Sequence, residues 1–180
     1  MSLGLILSAC FLAGIDSTAS REVLDLSQND KEAVEETVDW SVFLPEGEGR
    51  TEVALSCAGC HDLRIVLTQK KSKVGWRTSV QKMVSEYKAP LDREDFQTLV
   101  AYLSSNFGDE NPIERLPMNI NSSPARALAR LPGISTDIAT AIVVSRKSEG
   151  VFAAVDDLLR VKGIDPATFE RIKRYVTTKD

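Results

Sequence analysis

Apolar residues recur at helical spacing along two stretches in the middle of the chain. The first stretch places five apolar side chains on one helix face: Trp76, Val80, Met83, Val84 and Tyr87. The second stretch, after Pro90, repeats the spacing with Phe96, Leu99, Val100, Leu103 and Phe107. Asp92 is the predicted N-cap of this second helix and Gly108 its predicted C-cap. With a short helix predicted from Glu52 to Cys57, residues 49–108 form a small all-α unit of roughly three helices.

The C-terminal third of the chain contains a near-repeat. Leu131–Ser135 and Val161–Asp165 are both turns of the form apolar-x-Gly-Ile, set 30 residues apart between helical patterns. Three helices are predicted to begin around these turns, with the starts Ser123-Pro124, Ser135 and Asp165-Pro166. The pattern therefore predicts two helical hairpins in tandem, and the fold class of the whole chain is all-α.

Composition and charge divide the chain in the same way. The 180 residues are 43% hydrophobic and 27% charged, which is ordinary for a soluble chain of one or two small domains. Residues 1–113 carry 11 Lys and Arg against 18 Asp and Glu, whereas residues 114–180 carry 11 against 8. Such a split indicates two modules with different partners. Residues 21–43 belong to the most acidic stretch and are predicted to be a solvated linker.

The sequence Cys57-Ala58-Gly59-Cys60-His61 has the spacing of a covalent haem attachment site. Two cysteines separated by two small residues present both thiols on one side of a turn, and the adjacent imidazole reaches the iron of the same porphyrin. A thioredoxin-like redox pair requires a βαβ context, which this helical stretch lacks. A zinc site requires a second cysteine pair or further histidines, and the sequence has neither. We therefore predict one haem c, bound by Cys57, Cys60 and His61.

The chain has one histidine, so a second histidine ligand within the chain is excluded. With His61 as the proximal ligand, the sixth position is filled by a methionine or a less common ligand, or it stays open. Met83, on the apolar face of its helix, is the favoured sixth ligand. Met118 and an open position remain as alternatives.

Covalent haem attachment requires export, and the N-terminus is consistent with it. Leu3–Ile15 is an apolar run followed by small residues, which predicts a signal peptide within residues 1–20, cleaved near Ala19. Alternatively, Leu7–Cys10 is a lipoprotein box, and Cys10 is the lipidated residue of an anchored protein. We expect a periplasmic or cell-envelope location and no transmembrane span in the mature chain, because the apolar run is too short.

Residues 44–110 resemble a compact class I c-type cytochrome domain. The resemblance rests on the lead-in Leu44–Gly49, the motif Cys57–His61, the Trp76-to-Met83 helix and the closing helix around Leu99–Leu103. It implies that Tyr102 in the closing helix packs against the first helix. It also implies that Met83 is the iron ligand, that the function is electron transfer, and that the chain has a redox partner protein.

Residues 118–180, after a predicted linker at 111–117, resemble the ComEA-like tandem helix-hairpin-helix family. The matching segments are Asn119–Asn121, Leu131–Ile134, Phe152–Leu159 and Val161–Ile164. In such hairpins the glycine turn and the following helix N-terminus bind DNA phosphates without reading bases. The candidate DNA contacts are Gly133, Ile134, Lys162, Gly163, Ile164, Arg130 and Lys147. Ser135 and Asp165 depart from the family pattern, in which a second glycine stands at each of these positions.

These observations predict an exported monohaem c-type cytochrome for electron transfer, with a helix-hairpin-helix module that docks protein or binds DNA. The alternative is a ComEA-like, non-sequence-specific binder of duplex DNA in the cell envelope, with the haem as a sensor or structural cofactor. No residues indicate catalytic activity of the chain's own.

Overall fold

The computed structural model describes residues 37–180, which form one compact unit. The predicted signal peptide, the lipidation site at Cys10 and residues 21–36 of the predicted linker lie outside the described residues. No helix between residues 37 and 180 is long and apolar enough to cross a membrane.

The first part of this unit is built from four helices around one core. Their bounds are α1 Arg50–Ala58, α2 Arg64–Leu67, α3 Lys73–Ser85 and α4 Arg93–Asn106. α3 packs along α4, and α1 crosses α4. At this crossing Gly49 has φ of +95°, and a Cβ atom placed there would lie 2.7 Å from Cβ of Tyr102. The predicted packing of Tyr102 against the start of the first helix is confirmed, and a side chain at Gly49 would separate the two helices.

The second part contains the predicted hairpins. Its helices are α5 Ala125–Leu128, α6 Thr136–Ser148 and α7 Pro166–Ile172, with 3₁₀ turns at Val155–Arg160 and Lys173–Tyr175. α5 packs on α6, and α7 packs on the turn at Val155–Arg160. The all-α expectation needs one correction, because β1 Met118–Asn119 pairs in parallel with β2 Val176–Thr177. This short pair joins the start of the second part to its end in an otherwise mostly helical structure.

Local signals located most helix starts correctly. Three predicted N-caps are confirmed, since a side-chain oxygen accepts a hydrogen bond from the amide three residues on: Asp92 from Asp95, Ser135 from Ile138 and Asp165 from Thr168. Pro124 was expected as the first helical residue, but it is the N-cap of α5, with an extended ψ of 155°. The helix therefore begins one residue later than predicted.

Both segments predicted as linkers contribute to the core in the described part of the chain. Trp40 and Phe43 form a 3₁₀ turn and are 9% and 2% exposed, so the end of the 21–43 segment is packed. Within 111–117, Asn111 and Ile113 are buried. These buried side chains pack against residues that are distant in the sequence, so the spacing of apolar residues within each segment did not predict their burial.

Candidate haem site and nucleic-acid interface

The cysteine motif closes α1 and lies at the mouth of an apolar cavity. The amides of Cys60 and His61 both donate to the carbonyl oxygen of Cys57, at 3.3 Å, which folds the motif into one turn. The cavity has a volume of about 290 Å³, and its wall includes Cys57, Cys60 and His61. Apolar side chains from α3 and α4 complete the wall, among them Val80, Leu99 and Leu103. The two helices predicted from periodicity thus supply the apolar lining beside the predicted attachment residues.

Met83 faces the same space as the histidine. A second cavity of about 110 Å³ shares Cys57, His61, Val80, Met83 and Leu103 with the first. The favoured sixth ligand, Met83, therefore lines both cavities together with His61. Met118 is 1% exposed in β1, paired with Val176, and lines neither cavity. The fold places the two methionines in different parts of the unit.

The donor set and the cavity fit a covalently bound haem. Two thiols, one imidazole and one thioether lie on a mainly apolar wall, as thioether-linked haem with His and Met ligation requires. Nδ1 of His61 lies 3.3 Å from the carbonyl oxygen of Asp62, and the tautomer that donates this hydrogen bond leaves Nε2 available for iron. Within residues 37–180, no group of three or more His, Cys, Asp or Glu side chains is arranged to hold a metal ion.

Burial controls the ionisation of the first cysteine. Burial, followed by the charge of Cys60, raises the pKa of Cys57 to about 11, so this thiol is neutral at physiological pH. A neutral thiol suits an apolar wall, whereas an isolated thiolate there would be costly.

Two side chains near the motif make hydrogen bonds that the sequence did not indicate: Asn111, which sequence reasoning missed, and Trp76, which it placed only on an apolar helix face. Asn111 is 2% exposed and donates to the carbonyl oxygens of Leu67 and Gln69, at 2.8 Å in each case. Nε1 of Trp76 donates to the carbonyl oxygen of Phe107 at 2.9 Å. These bonds fix the end of α2 and join α3 to the end of α4. A lone asparagine after the last predicted helix carried no signal of this role.

The two glycine turns of the C-terminal part share one backbone conformation. Gly133 has φ of +81° and Gly163 has φ of +97°, which is the left-handed region that glycine tolerates. The amide of Ile134 donates to the carbonyl oxygen of Leu131, and the amide of Ile164 donates to that of Val161. The repeat predicted from sequence is therefore a repeat of structure.

The predicted DNA-contact residues separate into two groups. Ile134 and Ile164 are 5% and 6% exposed, so their side chains anchor the turns in the core. Lys162 and Lys147 are exposed, as a phosphate contact requires. Each glycine is exposed, and one side chain of the other hairpin lies beside it. A Cβ at Gly133 would lie 3.0 Å from Nη1 of Arg171, and one at Gly163 would lie 3.0 Å from Cγ1 of Ile138.

Arg130 has a partner inside the folded unit, and its role as a DNA contact stays a prediction. Its guanidinium Nη2 donates to the carbonyl oxygen of Phe43 at 3.2 Å, across the junction between the two parts. Burial lowers the pKa of Arg130, and this effect is opposed by nearby Tyr102. The side chain thus links the first hairpin to the segment that precedes α1.

The fold and the paired turns define the C-terminal part as a helix-hairpin-helix domain. A family model described as helix-hairpin-helix motif matches residues 116–177. The chain is 34% identical to "ComE operon protein 1" of Bacillus subtilis (strain 168) over 62 residues, which is 34% of this chain and 30% of that protein. It is also 37% identical over 59 residues to "Endonuclease/exonuclease/phosphatase family domain-containing protein 1" of Homo sapiens and of Rattus norvegicus. These residues are 33% of this chain and 10% of each relative.

These similarities concern one domain. The chain spans less than a third of the length of the curated relatives that it matches. The family model begins at residue 116, after the cysteine motif and its cavity. Residues 37–115, which contain the motif and its cavity, lie outside the matched region.

Proposed function

We propose that the protein binds duplex DNA through its helix-hairpin-helix domain, without reading base sequence, and that its first domain carries one covalently attached haem c. The observation that supports DNA binding most directly is the family match over residues 116–177, which fold here as two hairpins with left-handed glycine turns. The similarity to "ComE operon protein 1" supports the same proposal. The proposal assigns binding and carriage of a cofactor to this chain, and no reaction of its own.

The physical basis of DNA binding is contact with phosphate oxygens. A glycine turn lets the backbone approach an anion closely, and the amides that open the next helix point outward with the helix dipole behind them. α6 is such a helix, and it follows the Gly133 turn. Contacts of this kind position a protein on the duplex but carry no base information, so affinity depends steeply on salt and weakly on sequence.

A binding titration tests this function. The haem-loaded full chain is titrated onto fluorescently labelled duplexes of two unrelated sequences, at low and at physiological salt. We expect equal affinity for both duplexes and a steep loss of affinity with salt. Gly133→Ala should weaken binding, because its Cβ would press on Arg171 and the left-handed turn would be strained. Gly150→Ala is the matched control, since Gly150 has φ of +95° and its Cβ would have no neighbour within 4 Å. Absence of binding even at low salt would refute the proposal.

A second candidate function is electron transfer at the haem, in partnership with a redox protein. It is favoured by one observation, namely that His61 and Met83 line the same two cavities. A haem held by His61 and Met83 would supply one-electron redox chemistry, at a potential raised by the thioether. The chain's own part is to hold the attachment thiols, to present the two ligands and to exclude water with its apolar wall.

A pair of matched substitutions tests the haem assignment. The protein is produced in an export-competent host that attaches haem, and Met83→Leu is compared with Met118→Leu. Both changes remove a thioether while nearly conserving volume. We expect Met83→Leu to lower the reduction potential and to change the absorption spectrum, and Met118→Leu to leave both unchanged. Identical spectra and potentials in all three proteins would exclude Met83 as the ligand. Failure to attach haem in the wild type would exclude the cofactor.

Covalent haem attachment also supports an exported location, in the periplasm or cell envelope. The predicted signal or lipidated Cys10 would direct this export. Fractionation of cells that express the full chain, with haem absorbance as the marker, tests the location. Recovery of the haem-loaded chain in the cytoplasmic fraction would contradict it.

A further inference from the structure

The two glycine turns have the same backbone conformation, but the side chains around them differ in charge. The position two residues after each glycine is an N-cap, occupied by Ser135 in the first hairpin and by Asp165 in the second. The side chain that the other hairpin places over the turn also differs. It is the cation Arg171 at Gly133 and the apolar Ile138 at Gly163. The first turn therefore has a neutral cap and a cation beside its glycine, whereas the second turn has an anionic cap and an apolar side chain beside its glycine.

The second turn presents a carboxylate where a phosphate would approach. Oδ1 of Asp165 accepts a hydrogen bond from the amide of Thr168 at 2.6 Å, and the side chain is exposed at the start of α7. This hydrogen bond is the main cause that lowers the pKa of Asp165, so the group is ionised at neutral pH. A fixed negative charge at this position repels an incoming phosphate.

The first turn has no such charge. Ser135 caps α6 with a neutral hydroxyl, which accepts from the amide of Ile138 at 3.3 Å. Arg171 comes from α7 of the other hairpin and reaches across to Gly133. Its side chain is exposed, and in the described part of the chain it forms no salt bridge within 4 Å, although its charge helps to lower the pKa of Asp165. A guanidinium in this position can donate to a phosphate that also meets the turn.

We propose that the first hairpin alone holds the DNA phosphate, with Arg171 of the second hairpin's helix as its cationic contact. The second hairpin then has a supporting role, because it carries Arg171 and packs against the first. This inference rests on the proposed DNA binding and specifies which half of the tandem domain performs it. It predicts a footprint with fewer phosphate contacts than two equivalent hairpins would make.

The test compares single charge changes at the two turns in the haem-loaded full chain, with affinity for a random-sequence duplex measured over a range of salt. Arg171→Gln should weaken binding and reduce the slope of log affinity against log salt by about 0.9, the value for one lost phosphate contact. Lys162→Gln, at the second turn, should change the slope much less. Ser135→Asp keeps a capping oxygen but adds a carboxylate at the first turn, so we expect binding to fall by about tenfold.

Matched cap substitutions in the first domain control for net charge. Ser72 caps α3 through a hydrogen bond from the amide of Gly75, so Ser72→Asp adds the same charge at the same kind of position, far from either turn along the chain. Asp165→Ser should tighten DNA binding. In this background Lys162→Gln should weaken DNA binding more than it does in the wild type. Asp92→Ser, at the N-cap of α4, is its matched control.

The outcomes separate this inference from the proposed function. If the wild type binds DNA but Lys162→Gln lowers the salt slope as much as Arg171→Gln does, both hairpins contact DNA and the inference is wrong. Equal weakening by Ser135→Asp and Ser72→Asp would also overturn it. If the wild type binds no DNA, the proposed function itself fails, and this inference fails with it. Thermal unfolding of each variant shows whether an affinity change follows from misfolding.

Discussion

Tyr175 lies edge-on against Phe43, with ring centroids 5.4 Å apart and ring planes at 86°. Phe43 precedes α1, the first helix of the first part, and Tyr175 follows α7, the last helix of the second part. Trp40 joins the cluster, with its ring centroid 5.6 Å from that of Tyr175. Arg130 adds a hydrogen bond to the carbonyl oxygen of Phe43. These contacts connect the two domains through buried groups, so we expect the domains to unfold together.

Phe43→Ala tests this connection. Phe43 is 2% exposed, and removal of a buried aromatic ring costs about 3–5 kcal/mol of the free energy of unfolding. In urea titrations of the haem-loaded wild type, far-UV circular dichroism and haem absorbance should report a single shared transition. The variant should shift both signals equally. Val151→Ala, at a side chain that is 74% exposed, is the control and should change stability by no more than about 0.5 kcal/mol. Two separate transitions in the wild type would contradict the expectation.

Gly163→Ala should destabilise the protein more than Gly150→Ala. Both glycines have nearly the same positive φ, +97° and +95°, so the backbone strain of about 1 kcal/mol is common to the two variants. A Cβ at Gly163 additionally meets Cγ1 of Ile138 at 3.0 Å, whereas a Cβ at Gly150 meets nothing within 4 Å. We expect Gly163→Ala to cost about 1 kcal/mol more by chemical denaturation. In an Ile138→Ala background this difference should disappear, and its persistence would show that the contact is not the cause.

The parts of the fold that sequence predicted are those that local spacing determines. The helix that carries Trp76 and Val80 followed from the i, i+4 pattern, and the starts at Asp92 and Ser135 followed from capping chemistry. The candidate haem ligands could be limited to His61 with Met83, Met118 or an open position, because the chain holds one histidine and three methionines. In the structure Met83 lies beside the cavity and Met118 lies in β1, and the assignment of Met83 as the iron ligand stays a prediction.

The parts that sequence did not predict depend on contacts between distant residues. Phe43 and Tyr175 lie near opposite ends of the described chain, and nothing in their neighbours along the sequence indicates that their rings meet. Asn111 is a polar residue in an apparent linker, yet it satisfies two carbonyl groups near the end of α2. Arg171 over Gly133 is a third case, because the repeat aligns the turns but does not show which side chain crosses between them.

Arg130→Met should reduce stability without changing the salt dependence of DNA binding. The change removes a half-buried donor and leaves the carbonyl oxygen of Phe43 without this partner, at a cost of about 1–3 kcal/mol. Arg126→Met is the control, because Arg126 is exposed and its ion pair with Glu110 spans 3.5 Å, so a small effect is expected. The measurements are the free energy of unfolding and the salt dependence of DNA affinity, each compared between the variant and the wild type. A reduced salt slope for Arg130→Met would show that this residue contacts DNA.

The alkaline stability of the protein should depend on Tyr102. Burial raises the pKa of Tyr102 to about 12 in the folded protein, although the charges of Arg50 and Arg130 act to lower it. The unfolded chain loses the phenolic proton first, near pH 10, so this contribution to stability is present below about pH 10 and is lost as pH rises towards 12. The hydroxyl also donates to the carbonyl oxygen of Pro45, so Tyr102→Phe should cost about 1 kcal/mol near neutral pH.

Above about pH 10 the Tyr102→Phe variant should lose stability less steeply than the wild type, because its ring has no proton to release. The measurement is the urea midpoint of both haem-loaded proteins at a series of pH values from neutral to alkaline. Tyr87→Phe, at a phenol that is 64% exposed, is the control and should keep the wild-type pH dependence. If Tyr102→Phe and the wild type lose stability in parallel through the alkaline range, the alkaline loss originates in other groups and not in the buried phenol.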